Sequence, residues 1–165
     1  MKIGYISLEI GDLYKQILSE SVDNAVERKA FCRLRYKGGN VTGKAHLTLF
    51  FGLDYEQLNR EALQRDLMRA QNSIKELTPA GFEIFHLRNS RCNAWVMNID
   101  ATPGIVEFHR YFKSQYPVME QYVHEEFKPH VTLAYIHKQM KMPRMSLPGK
   151  LEVSEVKLKI YTVSG

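Results

Sequence analysis

Two short motifs in the sequence carry residue types that can exchange protons. His-Leu-Thr-Leu occupies positions 46–49, and His-Val-Thr-Leu occupies positions 130–133. An imidazole titrates near pH ~6.5, so at neutral pH one histidine accepts a proton while a second one donates. Two such groups suit an in-line displacement at phosphorus. One of His46 and His130 would deprotonate the attacking oxygen, and the other would protonate the leaving oxygen.

The threonine of each motif lies two positions after its histidine. Both motifs continue as apolar runs rich in β-branched and aromatic residues, which predicts that each begins a β-strand. Successive side chains on a strand point to opposite faces, so the histidine and threonine of one motif share a face. Thr48 and Thr132 would then bind the non-bridging phosphate oxygens through their hydroxyl groups. If the two strands lie side by side, both histidines and both threonines line one cleft.

No metal or other cofactor is expected at this cleft. The repeated motif contains neither a carboxylate nor a third ligand at a fixed spacing. A hydroxyl next to the phosphorus, such as a ribose 2′-OH, would supply the nucleophile without metal activation. A metallohydrolase is therefore a weaker hypothesis than a metal-independent enzyme.

The apolar periodicity predicts elements in the order strand, helix, strand, helix, hairpin, helix, strand, strand. After a first strand, a helix is predicted over about residues 11–30, with an inner stripe of Leu13, Ile17 and Val22 or Ala25. Asp54 is the predicted N-cap of the second helix, with Gln57 in the capping-box position. The other expected features are a helix end at residues 79–81, a hairpin of residues 82–88 and 93–99, a helix start at Thr102-Pro103, and a last strand at residues 151–163.

This order of elements predicts an α+β fold for residues 1–165. Both halves contain a helix and a His-x-Thr strand, and His130 lies 84 positions after His46. That separation is about the length of one half. We therefore expect a single domain with two similar lobes, each supplying one histidine.

Composition and charge restrict the class of protein and its partners. The chain is 44% hydrophobic and 25% charged, and its net charge of +5 favours a phosphate-bearing partner such as RNA, an oligonucleotide or a nucleotide. It contains no apolar stretch of the ~20 residues that a membrane span needs and no signal-peptide core, which predicts a cytoplasmic protein. Cys32 and Cys92 have no metal-ligand spacing, so we expect isolated thiols with a structural or incidental role. No obligatory protein partner is evident.

Strand parity adds candidates for substrate binding. Tyr5 in the first strand lies opposite the apolar, helix-facing side, as do Lys157, Lys159 and Tyr161 in the last strand. By the same alternation Phe50 continues the face that carries the first motif's histidine and threonine. Aromatic rings at these positions could stack on a base, and a lysine could pair with phosphate.

The segments HLTLFFG and PHVTLAYI resemble the 2H phosphoesterase superfamily, which includes the LigT-like RNA 2′,3′-cyclic phosphodiesterases. The resemblance implies a bilobal fold in which two antiparallel sheets form a V-shaped cleft, with helices on the outside. It also implies that His46 and His130 are the acid–base pair and that Thr48 and Thr132 hold the phosphate. Many LigT-like members have an arginine five residues after the second motif histidine. Here Tyr135 takes that place, and we count it among the substrate-binding candidates.

The leading functional hypothesis is therefore a metal-independent phosphodiesterase that acts on a ribonucleotide phosphodiester. Its substrate would be a 2′,3′-cyclic phosphate RNA end, a 2′,5′-linked oligonucleotide or a cyclic oligonucleotide signal, as for phage members of the superfamily. The alternative is a nucleotide- or RNA-binding module that uses the same cleft without catalysis.

Overall fold

A computed structural model describes residues 1–163, which contain seven β-strands and three α-helices. The elements along the chain are β1 (Lys2–Ile10), α1 (Asp12–Ala25), β2 (His46–Asp54), α2 (Arg60–Ser73), β3 (Glu76–Leu77), β4 (Pro79–His86), β5 (Cys92–Ile99), α3 (Pro103–Gln115), β6 (His130–His137) and β7 (Leu151–Thr162). None of the helices in residues 1–163 combines the length and the apolar character that crossing a bilayer requires.

The strands form one antiparallel sheet in the order β3-β7-β1-β2-β6-β5-β4. The two central strands, β2 and β6, share a single residue pair, Leu47–Val131. The sheet therefore consists of two antiparallel halves, and each half contributes one His-x-Thr strand to the seam between them.

All three helices pack against one face of this sheet. Leu18 of α1, Leu63 of α2 and Phe112 of α3 belong to the same buried cluster as Leu47 and Val131 of the seam. Burying a large apolar side chain contributes about 1.5–3 kcal/mol, so this helix-covered face supplies most of the stabilisation. Side chains of opposite parity are left on the other face, which carries the histidines and threonines.

A second, smaller apolar cluster lies in the second half, on the face of the sheet that carries no helices. It contains Cys32, Cys92, Ala94, Val96 and Tyr135. The cluster is covered by residues 31–41, which we call the edge loop. This loop pairs with the edge of β6 that β2 leaves free. Three backbone hydrogen bonds join the loop to β6: Cys32 N donates to Tyr135 O (2.8 Å), Tyr135 N to Gly39 O (3.0 Å) and Val41 N to Leu133 O (3.0 Å).

Cys32 and Cys92 form a disulfide bond, with their Cα atoms 5.7 Å apart. The prediction of two isolated thiols was therefore wrong, although the expected structural role fits. The two positions are 60 residues apart in sequence, and the topology brings them together because the edge loop lies over the start of β5.

The first helix is shorter than predicted and exposes part of its predicted stripe. It ends at Ala25, and Leu13 and Ile17 are 65% and 50% exposed. Leu18 and Val22, four residues apart, face the core. The predicted stripe was therefore right at Val22 and wrong at Leu13 and Ile17, where Leu18 takes the buried position.

The second helix begins and ends at residues other than those predicted. Asp54 ends β2, and Asn59 is the N-cap, with its side-chain oxygen accepting a hydrogen bond from Ala62 N at 3.1 Å. The helix stops at Ser73, and Pro79 is the first residue of β4, which is an edge strand and tolerates the missing N–H. The predicted hairpin and the helix start at Pro103 are confirmed, although Thr102 makes no side-chain cap bond.

The disulfide predicts a measurable stabilisation. Joining residues this far apart in sequence typically stabilises a fold by about 2–4 kcal/mol. We expect the Cys32→Ser/Cys92→Ser variant to have a free energy of unfolding lower by that amount than the oxidised protein, measured by urea denaturation with Trp95 fluorescence. Wild-type protein kept reduced is the matched control and should equal the variant. Equal stability of the oxidised and reduced protein would contradict the prediction.

Candidate active site

The seam of the sheet brings the two His-x-Thr motifs together. His46 is the first residue of β2, and His130 is the first residue of β6. In an antiparallel pair centred on Leu47–Val131, the flanking positions set His46 beside Thr132 and Thr48 beside His130. Leu47 and Val131 are fully buried, so the four flanking side chains point to the uncovered face.

Both imidazoles are oriented by the same main-chain contact. The Nδ1 atom of His46 lies 2.9 Å from the carbonyl oxygen of Lys44, and that of His130 lies 2.7 Å from the carbonyl oxygen of Lys128. A carbonyl oxygen only accepts hydrogen bonds, so each Nδ1 carries the hydrogen and donates it. In the neutral ring Nε2 then holds the free lone pair, which is the state of a general base.

Burial lowers the pKa of both histidines below the ordinary value. For His46, the ammonium of Lys159 lowers the pKa further, while the bond to the Lys44 carbonyl opposes the shift. For His130, the charge of His46 adds to the lowering of the pKa, and Glu83 opposes it. The two rings are therefore close enough for the protonation of one to disfavour protonation of the other.

A β-bulge follows the threonine of each motif. In β2 the pairing passes from Ser7–Thr48 to Ile6–Phe50, and in β6 it passes from Val96–Thr132 to Trp95–Ala134. One extra residue in each strand reverses the alternation of faces beyond it. The bulges thus change which side chains follow the histidine and threonine on the uncovered face.

The first bulge moves Phe50 out of the cleft. Phe50 is 1% exposed and packs in the core, so the expectation from strict alternation that it binds substrate does not fit its position. Phe51 takes its place on the uncovered face, where it is paired with Tyr5. The sequence reasoning missed Phe51 because no composition signal marked the bulge.

Phe51 is the centre of an aromatic group at one end of the cleft. Its ring centroid lies 5.6 Å from that of Tyr5, 5.8 Å from that of Tyr161 and 6.2 Å from that of His124. Two predicted candidates, Tyr5 and Tyr161, therefore lie together here. The group offers flat rings beside the motif residues of β2, as a base-stacking site requires.

His124 reaches this group because residues 117–123 lie along the end of β2. Met119 N donates to Gly52 O at 2.8 Å, and Asp54 N donates to Pro117 O at 2.9 Å. Gly52 has a φ of +118°, and a Cβ there would lie 2.8 Å from Val123 Cγ2. Only glycine fits this close approach, so Gly52 is needed to place the segment that carries His124.

Glu9 anchors the two lysines of the first half. It is 8% exposed and lies opposite His46 in the register of β1 and β2. Lys159 Nζ lies 2.8 Å and Lys157 Nζ 3.3 Å from its carboxylate, and Ser7 Oγ donates to it at 3.0 Å. Burial alone would raise the pKa of Glu9, but the hydrogen bonds from Lys159 and Ser7 outweigh it and lower the pKa. The predicted candidate Lys157 thus lies on the cleft face. It is held there by Glu9, which the sequence reasoning did not select.

The second half surrounds His130 differently. The ring of Phe85 meets the imidazole of His130 edge-on with centroids 4.8 Å apart, a contact that sequence reasoning did not identify. Glu83 accepts a hydrogen bond from Asn98 at 3.2 Å. Tyr135 is 7% exposed beneath the edge loop, five positions beyond His130, with the Lys37 ammonium 5.1 Å from its ring centroid.

His109 lies behind the cleft and supports the first bulge. Its Nδ1 donates to the carbonyl oxygen of Leu49, the extra residue of the bulge, at 2.7 Å. Its ring stacks on Phe127 with centroids 3.9 Å apart, and burial lowers its pKa. We infer that His109 holds the main chain that aims Thr48 at the cleft.

Within residues 1–163, no group of three or more histidine, cysteine, aspartate or glutamate side chains has the geometry to hold a metal ion. The site as described consists of two histidines, two threonines, a lysine pair held by one carboxylate, and aromatic rings at its end.

Comparisons with known proteins place this geometry in a family. A family model described as the 2′-5′ RNA ligase superfamily matches residues 20–158. No curated protein matches the sequence. The matched range contains both His-x-Thr motifs, α2 and α3, and the second part of α1.

Three solved structures share the fold along nearly the whole chain. A structure titled as a phosphoesterase is 15% identical, with a TM-score of 0.56 over 96% of this chain and 87% of that one. E. coli LigT complexed with 3′-AMP is 15% identical, with a TM-score of 0.56 over 99% and 90%. E. coli LigT complexed with NADP+ is 16% identical, with a TM-score of 0.57 over 99% and 89%. These likenesses confirm the predicted α+β fold class.

The coupling between the two histidines predicts a change in titration. In the His46→Gln variant the like charge is removed, so the pKa of His130 should rise from its wild-type value while staying below the ordinary value because burial persists. Histidine Cε1–H chemical shifts followed by NMR against pH would measure it. The matched control His86→Gln removes an exposed histidine at the end of β4 and should leave the pKa of His130 unchanged. An unchanged pKa in His46→Gln would mean that the rings do not interact.

Proposed function

The chain belongs to the 2′-5′ RNA ligase superfamily, that of the 2H phosphoesterases, and from this premise we propose that it is a metal-independent phosphodiesterase acting on a ribonucleotide phosphodiester. The observation that carries the proposal is the pair of imidazoles on one face of the seam, each with Nδ1 bonded to a carbonyl and Nε2 free. We take residues 1–165 to act as one domain with two similar lobes, one histidine from each.

The proposed reaction is an in-line displacement at phosphorus. One neutral histidine takes the proton of the attacking hydroxyl or water through Nε2. The other, protonated, gives its Nε2 proton to the leaving oxygen, so the pair exchanges roles between the forward and reverse directions. Because each protonation disfavours the other, the singly protonated pair that this mechanism needs is populated over a range of pH.

The threonines and Lys159 are proposed to hold the phosphate. The seam sets each threonine beside the histidine of the other strand, so both hydroxyls face a phosphorus placed between the rings. Their hydrogen bonds would strengthen as charge builds on the non-bridging oxygens. Lys159, fixed by Glu9, adds a positive charge on the His46 side of the cleft.

The aromatic group around Phe51 is proposed to receive the base. The predicted candidates Tyr5 and Tyr161 contribute to it, and stacking on such rings does not require a particular base. The substrate would be a 2′,3′-cyclic phosphate RNA end, a 2′,5′-linked oligonucleotide or a cyclic oligonucleotide signal. The LigT structure of the same fold holds 3′-AMP, a ribonucleotide with a phosphate at the 3′ oxygen, which is consistent with this class.

Substitution of either motif histidine should abolish turnover. General acid–base catalysis contributes about 10²–10⁴-fold per group, so we expect His46→Ala and His130→Ala each to lower kcat by at least about 10²-fold. Turnover would be measured by chromatography on a panel of 2′,3′-cyclic nucleotides, 2′,5′-linked oligoadenylates and cyclic oligonucleotides. EDTA should have no effect.

The controls are His86→Ala and His137→Ala, which remove histidines outside the seam and should keep full activity. Unchanged melting temperatures would show that the variants remain folded. Activity retained in either motif variant would end the proposal. Binding of a panel member by the wild-type protein without any product would favour the non-catalytic binding module instead, and loss of activity in EDTA would favour a metallohydrolase.

We propose a cytoplasmic location for the protein. Disulfides are rare in that reducing compartment, so the Cys32–Cys92 pair provides a test. Cells would be quenched in acid, and the protein would be alkylated under denaturing conditions and analysed by mass spectrometry. We expect both cysteines to be alkylated, and a bonded pair in freshly quenched cells would contradict a cytoplasmic location.

A further inference from the structure

We propose that the tip of the edge loop, residues 33–37, binds the single-stranded extension of an oligoribonucleotide whose scissile phosphate lies between the two motif histidines. The inference rests on the proposed function and specifies its substrate: a chain several nucleotides long, not a mononucleotide or dinucleotide.

The tip combines an exposed aromatic ring with exposed cations. Tyr36 is 87% exposed, the largest exposed fraction among the exposed large apolar and aromatic side chains of residues 1–163. Arg33, Arg35 and Lys37 around it are also exposed, and the guanidinium of Arg35 lies 5.1 Å from the centroid of the Tyr36 ring. An exposed ring flanked by cations suits a single strand, because a base can stack on the ring while phosphates contact the cations.

The cations at the tip have no acidic partners. Arg33, Arg35, Lys37 and the neighbouring Arg91 form no ion pair with a carboxylate of residues 1–163. Arg91 belongs to the same surface because its Nη2 donates to the carbonyl oxygen of Arg33 at 3.1 Å. Lys157 and Lys159, in contrast, are neutralised in part by Glu9. The uncompensated charge of the tip is complementary to a phosphate backbone.

A tight hydrogen-bonded turn shapes the tip. Arg33 pairs with Gly38, and Leu34 N donates to Lys37 O at 2.7 Å. A Cβ at Gly38 would lie 2.5 Å from the Cα of Arg33, so the turn is as tight as glycine permits. Preorganised contacts lose little conformational entropy on binding, which favours a role in recognition.

The position of the tip sets the length of the ligand. Lys37 lies over Tyr135, which is five positions along β6 from His130. At the rise of a β-strand this is about 15 Å from the histidine, further than the nucleotide at the scissile phosphate extends. A strand that reaches Tyr36 therefore continues for several nucleotides beyond the reacting phosphate.

The test compares two substrates with the same scissile linkage: a dinucleotide and a single strand of about ten nucleotides. We expect the wild-type protein to have a lower KM for the longer substrate. The Arg33→Gln/Arg35→Gln variant and the Tyr36→Ala variant should each raise that KM by about tenfold. Cleavage of the dinucleotide should stay within about twofold of wild type, and Tyr36→Trp should restore the KM for the longer substrate.

The matched control is Arg65→Gln/Arg110→Gln, which removes two exposed arginines from α2 and α3 on the helix-covered side, neither of them in an ion pair with a carboxylate of residues 1–163. It should leave both substrates unaffected. The inference would be overturned if the wild-type protein showed no preference for the longer substrate, or if the tip variants kept that preference.

Binding separates this inference from the proposed function. Fluorescence anisotropy would measure the Kd of the ten-nucleotide strand, of a duplex of equal length and of inorganic polyphosphate. We expect the single strand to bind most tightly, and Tyr36→Ala to weaken the single strand alone. If no substrate is cleaved but these differences hold, the proposed function fails and the binding surface stands. Equal binding of all three probes would identify a nonspecific cationic patch and overturn the inference.

Discussion

The site depends on a single antiparallel pair of residues at the centre of the sheet. Leu47 and Val131 are buried and paired across the seam, and theirs is the only residue pair between β2 and β6 within residues 1–163. Because strand side chains alternate, burying these two apolar residues forces the four polar neighbours to the opposite, uncovered face. The stability of the core and the geometry of the reactive groups are thus consequences of the same contact.

The two halves supply similar motifs in different electrostatic surroundings. His46 faces Lys159 and the carboxylate of Glu9, whereas His130 meets the ring of Phe85 and feels the charge of Glu83. The near-equivalence of the strands explains why both rings are oriented by a main-chain carbonyl. The unequal neighbours provide the asymmetry that a reaction needs when one group must gain a proton while the other loses one.

Sequence reasoning predicted the features that depend on regular periodicity. The shared face of each histidine and threonine follows from the period of two, and the hairpin and α3 follow from local turn and cap residues. Phe50 was misplaced because a bulge is decided by pairing with β1, which the strand's own sequence does not reveal. Three other features depend on contacts between segments that are distant in sequence: the Cys32–Cys92 bond, the contact of His124 with Phe51 and the contact of Phe85 with His130. The N-cap at Asn59 depends on where β2 stops.

The hydrogen bonds from the imidazoles to the carbonyls of residues 44 and 128 have a consequence for how the chain can diverge. A main-chain acceptor is present whatever side chain occupies its position, so the tautomer of each ring is protected against point substitution. Lys44 and Lys128 are therefore free to drift, or to be recruited for other contacts, without loss of the proton-transfer geometry. A relative could keep the chemistry intact while sharing little more than the two histidines and threonines themselves.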